Sequence, residues 1–227
     1  MKRSTIFTIL GALAAAASAL ARPLPRPATA LTPDETARIL DQALDREGNI
    51  LASIRMTDPA LTPAPLTSTI SAGGVGGLEG VVVPSAIIAT TKAGTAAFLS
   101  TRGNAFTTRT AGYIIQPNFP PRVTFFDSGP LFGVQFSSLP TSDVERLPLG
   151  MSADPGGLPL YRNGEVVAGI GVEFDGVYTI VNTLQPGPTR PEESVAQAGQ
   201  AGFLPPPNIT AANVFVDGIR LAYLGPA

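Results

Sequence analysis

"GGLPLYRNGEVVAGIGVEFDG", residues 156–176, holds two runs of strand character joined by Asn163-Gly164. An Asn-Gly pair supplies the two positive φ values of a type I′ turn, so 158–162 is expected to pair with 165–174 as a hairpin. The second run carries Gly169 and Gly171. Glycine weakens a strand by roughly 0.5–1 kcal/mol relative to alanine. Two in one run therefore mark a bend, or a surface against which something must lie close. Gly156-Gly157 shapes the lead into the hairpin.

Working outward, 81–101 contains the longest expected helix, with Pro84 near its start and Gly103-Asn104 beyond its end. It is built largely from Ala, Thr, Ser and Gly, small side chains that let a helix lie close to a sheet. Residues 107–116 read as a second helix stopped by Pro117, and 123–126 and 131–136 are strand-like. Downstream, Thr189-Arg190-Pro191-Glu192 opens a helix over 190–201 that Gly202 ends. Asp217-Gly218 centres a last hairpin at 214–224.

Toward the N-terminus, Thr32-Pro33-Asp34-Glu35 forms a capping-box pattern. Ala37, Leu40, Ala43 and Leu44 then recur at helical spacing, which predicts an amphipathic helix over 33–45, followed by a strand at 50–56. Three prolines argue against regular structure at 57–69. The glycine-rich loop at 71–80 lacks the spacing of a phosphate loop. The order of elements predicts an α+β domain with an antiparallel sheet and helices on at least one face.

The 227 residues suit one domain plus a leader, and 44% hydrophobic composition supports a real core. Fifteen basic against 17 acidic residues leave no basic stripe, so nucleic acid is not an expected partner. His and Cys are both absent, which excludes disulfides, Cys- or His-ligated zinc, thiolate nucleophiles and a Ser-His-Asp triad. Lys2-Arg3, an apolar run from Thr5 and small residues up to Ala21 have the pattern of a secretory signal peptide. The expected division is a signal peptide at 1–21, a Pro-rich linker at 22–31 and the domain at 32–227. Export to the periplasm or medium follows from it, with no membrane span left after cleavage.

The hairpin "GGLPLYRNGEVVAGIGV", the turn and strand "REGNILASIRM", the run "TKAGTAAFLSTRGNAFTTRTAGYIIQ" and "GPLFGVQFSSLP" stand in one order along the chain. Together they resemble the GlcG/HbpS family of haem-binding proteins (the DUF336 domain), which is related to the C-terminal domain of PduO. The resemblance runs from about residue 32 to the C-terminus. It implies a profilin-like α/β sandwich that assembles into homo-oligomers. In that fold Gly169 and Gly171 would admit either a helix or a ligand against the sheet. The family has a longer first helix and a further strand before its Asp-x-x-Gly-Asn turn. Here either an edge strand is absent or 40–46 takes strand form.

The ligand implied by the resemblance is haem or a related tetrapyrrole. Haem iron is most often held by His, Cys, Met or Tyr. In this chain that leaves Met56, Met151, Tyr113, Tyr161, Tyr178 or Tyr223, or a weak Lys or Thr contact. Lys92, where family members also carry a basic residue, would hold a propionate or another acid, and Arg102 and Arg109 would clamp anions. Each has a plainer counterpart: Lys92 with its head in water, solvated arginines, Tyr113 as a satisfied core phenol, Tyr161 in cross-strand packing, and Met151 as a gap-filler. Glu165 and Glu173 share a face of a regular strand, with Asp175 near them. Such carboxylates serve acid–base work or a hard cation, or simply surface charge. No nucleophile elbow or nucleotide fingerprint is present. The leading expectation is an exported small-molecule-binding protein, with the candidate site Lys92, Arg109, Tyr113, Tyr161, Gly169 and Gly171. A non-catalytic oligomeric scaffold is second, and an enzyme acting on a small acid third.

Overall fold

The 156–176 stretch folds as a hairpin in the computed structural model, with Asn163 at φ 53° and Gly164 at φ 79° in its turn. Residues 42–53, 67–71, 78–116, 118–119, 129–132, 147–173, 175–180 and 187–226 are described. In chain order the strands are β1 (Gln42–Asp45), β2 (Ile50–Ser53), β3 (Thr67–Ile70), β4 (Val82–Pro84), β5 (Gly157–Arg162), β6 (Glu165–Gly171), β7 (Val177–Tyr178), β8 (Phe215–Val216) and β9 (Ile219–Arg220). The helices are α1 (Ser85–Leu99), α2 (Thr108–Ile114) and α3 (Pro191–Gly199). All lie in one compact unit, Leu31–Ala227, and the fold is α+β.

β2, β1, β6 and β5 form an antiparallel sheet in that order. On the face toward α1, β6 carries no side chains at 169 and 171 and β5 none at 157. A Cβ at Gly169 would overlap the Ala93 carbonyl oxygen and stand 3.0 Å from Ala97 N. A Cβ at Gly171 would overlap the Ala89 carbonyl oxygen and stand 2.5 Å from Ala93 N. The two glycines therefore admit α1, not a ligand. On the opposite face Leu158, Leu160, Ala168 and Ile170 join Ala43 and Ala196 of α3 in the main apolar cluster. The result is helix, sheet, helix. α1 is buried almost throughout, and its threonines satisfy themselves: Thr90, Thr91 and Thr95 donate to the carbonyls of Ala86, Ile87 and Thr91.

The expected helix over 33–45 is corrected by β1, while 33–41 lies outside the described residues. Ala43 and Leu44 are 0% and 1% exposed, yet they face opposite sides of the sheet, Ala43 toward the α3 cluster and Leu44 toward Ala93 and Leu147. A strand covered on both faces has adjacent apolar residues, which imitates helical spacing. Asp45 then builds the turn, its carboxylate accepting from Glu47 N, Asn49 N and Asn49 Nδ2, with Gly48 at φ 84°.

Other boundaries shift. β2 ends at Ser53, with 54–56 outside the described residues, and β6 ends at Gly171 rather than 174. β3 occupies the end of the proline-bearing stretch, pairing antiparallel with β4 and parallel with β7 in a second sheet. Residues 131–132 are a turn, and 123–126, 133–136, the stretches expected as signal peptide (1–21) and linker (22–31), and Met56 lie outside the described residues. The last hairpin pairs only β8 with β9.

Nothing stands within 4 Å of a Cβ at Gly164, so only its positive φ resists substitution. Gly164→Ala is expected to cost about 1–2 kcal/mol, read as a lower urea midpoint with an unchanged slope.

Candidate functional site: a buried lysine between two carboxylates

Because α1 rests on glycines, its neighbouring side chains come within reach of the loops at the sheet end. Gly156 (φ 121°) leaves the necessary room: a Cβ there would stand 3.4 Å from Lys92 Nζ and 2.8 Å from Glu192 Cβ. Lys92 Nζ donates to Asp154 Oδ2 at 2.7 Å, Glu173 Oε2 at 2.6 Å and the Val172 carbonyl at 2.9 Å. An ammonium has three donors, so all are used. The three side chains are 0%, 3% and 1% exposed. Asp154 Oδ1 accepts from Thr179 N at 3.2 Å. Ser68 donates to Glu173 Oε1 at 2.6 Å and meets Ser85 Oγ at 2.8 Å.

Burial alone would push Lys92 down, but Asp154 and Glu173 outweigh it and hold the ammonium above its ordinary range. Asp154 moves the other way for a carboxyl. Burial raises it, Glu173 raises it further, and Lys92 opposes both only in part, leaving it at about 7. One cation faces two buried carboxyl groups, and burial works against the charged form of one of them, Asp154.

Lys92 is thus neither a surface lysine nor a free anion clamp. Arg109, on α2, is also committed. It forms a fork with Glu193, Nε to Oε1 and Nη2 to Oε2, both at 2.7 Å, and donates to the carbonyls of Gly187 and Pro188. Glu193 also accepts from Arg190 N and so caps α3. Arg109→Met leaves that carboxylate buried and unpaired. The expected loss is about 3–5 kcal/mol, measurable by calorimetry or urea unfolding.

The tyrosines are internal as well. Tyr113 packs edge-on to Phe119, with ring centroids 5.8 Å apart, in a cluster with Ile114, Ile115 and Ala153. Tyr161 donates to the carbonyls of Thr101 (2.7 Å) and Asn104 (3.0 Å), and burial pushes its phenol up to about 12. Tyr178 and Tyr223 accept from Ala153 N and Gln200 Nε2. Met151 packs beside Leu44, Ala93 and Leu147. Arg102 pairs with Glu165 at the surface, so Glu165 and Glu173 do not act together. The described residues do not fit a haem held by tyrosine, lysine or Met151. Nor is any group of three or more acidic side chains among them arranged for a metal ion.

Sequence reasoning missed Asp154, Ser68, Glu192 and Glu193. Asp154 precedes Gly156-Gly157 in "SADPGG", which reads locally as a turn. Its pairing with Lys92 is a long-range fact without a local signal.

No family model matches the sequence, and no curated protein matches it. No helix among the described residues is long and apolar enough to cross a membrane. Among solved structures, the Klebsiella pneumoniae protein ORFY, described by the family model DUF336, is similar to this chain with a TM-score of 0.42 and 18% sequence identity. The similarity covers 79% of this chain and 94% of that one.

Proposed function

We propose that this protein is an exported, non-catalytic binder of a small polar molecule, recognised at the cluster of Lys92, Asp154, Glu173 and Glu192. The supporting observation is Glu192. It is 2% exposed, its Oε1 accepts from Asp175 N at 3.2 Å, and its Oε2 has no hydrogen-bond partner among the described residues. A buried acceptor without a partner is costly, and a buried ion network is seldom required for stability alone. Perturbed titrating groups gather at functional sites. The open atom accepts, so the matching ligand group donates: an amine or hydroxyl rather than a propionate.

A thermal-shift comparison of ethanolamine and propionate on the purified chain tests this, with hemin followed by its Soret band in parallel. The expected result is saturable stabilisation by the amine, lost in Glu192→Gln, and no saturable hemin band. A saturable, red-shifted hemin band that weakens in Tyr113→Phe restores the haem reading in its place. The Lys2-Arg3 leader supports export. Intact mass of the periplasmic protein should show cleavage after Ala19 or Ala21, and an uncleaved chain would contradict it.

A homo-oligomeric scaffold is the second reading, favoured by one surface. Thr67, Thr69, Val82, Pro84 and Val177 are all exposed along one face of the β4-β3-β7 sheet, with Val82 at 60%. Light scattering should give a multimeric mass that Val82→Lys returns to monomer. A monomeric wild type rejects it.

A further inference from the structure

β4 runs directly into α1, and Ser85 is the first residue of that helix. Its hydroxyl oxygen lies 2.8 Å from that of Ser68 on β3, the strand that pairs with β4. Ser68 is fully buried and donates to Glu173 Oε1 at 2.6 Å. A hydroxyl has one proton to give. Ser68 spends its proton on Glu173, so Ser85 is the donor in the bond between the two serines. Ser85, Ser68 and Glu173 thus form a relay whose protons all point one way, from a hydroxyl toward a carboxylate.

The inner end of the relay has room for a proton. Glu173 Oε2 and Asp154 Oδ2 both accept from Lys92 Nζ. One ammonium faces two carboxyl groups, so a proton that reaches Glu173 still leaves Lys92 paired with Asp154. The outer end is the one that meets solvent. Ser85 is 9% exposed against 0% for Ser68, and its chain neighbours Pro84 and Ala86 are exposed.

A serine hydroxyl is a weak nucleophile until a neighbouring base draws off its proton. We propose that Ser85 is an acyl-acceptor serine, modified once by an activated ester through the Ser68–Glu173 relay. Ser85 Oγ attacks the ester carbonyl carbon while its proton passes to Ser68 and the proton of Ser68 passes to Glu173. The bond from that carbon to the alcohol oxygen then breaks, and the departing alcohol takes the proton back from Glu173 through Ser68. The products are an acyl ester on Ser85 and a free alcohol, and nothing is oxidised or reduced. Glu192 takes no part, so this site stands or falls separately from the binding proposal.

Treatment of the purified protein with p-nitrophenyl acetate tests it, with peptide mapping to place the acetyl group. The expected result is one acetyl on Ser85 and none on Ser194, a more exposed serine whose hydroxyl faces the Arg190 carbonyl rather than a base. Ser68→Ala breaks the relay, and Glu173→Gln keeps an acceptor that cannot take up the proton. Each should slow acylation of Ser85 about a hundredfold, whereas Ser68→Thr keeps the hydroxyl and should retain it. No acetyl at Ser85, or equal labelling of Ser194, overturns the assignment. So does an undiminished rate in Ser68→Ala or Glu173→Gln, or a Ser68→Thr variant as slow as Ser68→Ala. If the variants do not fold, the wild-type map alone decides.

Discussion

Gly171→Ala is expected to destabilise the protein by about 3 kcal/mol, and Gly169→Ala by a similar amount, although alanine is ordinarily the better strand residue. The cause is backbone against backbone. The new methyl at 171 would meet the carbonyl group of Ala89 and the nitrogen of Ala93, and at 169 the carbonyl of Ala93 and the nitrogen of Ala97. A flexible side chain could turn aside, but α1 must move bodily. β6 is flanked by β1 and β5, so the sheet cannot retreat either. Urea unfolding of both variants beside Gly164→Ala checks the account. Equal, small losses at all three sites would mean that close helix–sheet contact is not what the glycines serve.

Lys92→Met carries the other large effect, an expected loss of about 3–5 kcal/mol. Methionine keeps much of the stem volume but removes the charge that balances Asp154 and Glu173, both nearly fully buried. The loss should depend on pH. Without the ammonium, nothing opposes the burial that raises Asp154, so its protonation gains further and the variant should recover stability as pH falls from 8 toward 5. If the penalty comes from stranded carboxylates, the triple variant Lys92→Met, Asp154→Asn, Glu173→Gln restores most of it. A triple variant as unstable as the single one would place the role of Lys92 in packing instead.

The local parts of this fold were legible in the chain. Asn163-Gly164 announced the β5–β6 turn, Pro84 and Pro191 marked helix starts, and the small residues of 81–101 went with a helix lying close to a sheet. The periodicity of 33–45 reads β1 as helix, because Ala43 and Leu44 are buried on opposite sheet faces and their adjacency imitates helical spacing; strand form at 40–46 is one of two alternatives left open by comparison with the family's order of elements. The site was half legible. Lys92 and Arg109 stood out as basic residues within otherwise small-residue helices, but their meaning lay in partners 81 and 84 residues away. Periodicity reports which face of an element is apolar. It says nothing of which distant carboxylate that face will meet, so two internal ion networks resembled anion clamps.

The most direct measurement is a carbon-13 NMR titration of the Asp154 side-chain carboxyl from pH 4 to pH 9, in the wild type and in Glu173→Gln. The account predicts a midpoint near 7 in the wild type, moving down in the variant as Lys92 becomes the undivided partner of Asp154. A wild-type midpoint in the ordinary aspartate range, near 4, would make the cluster a fully ionised brace and contradict the account.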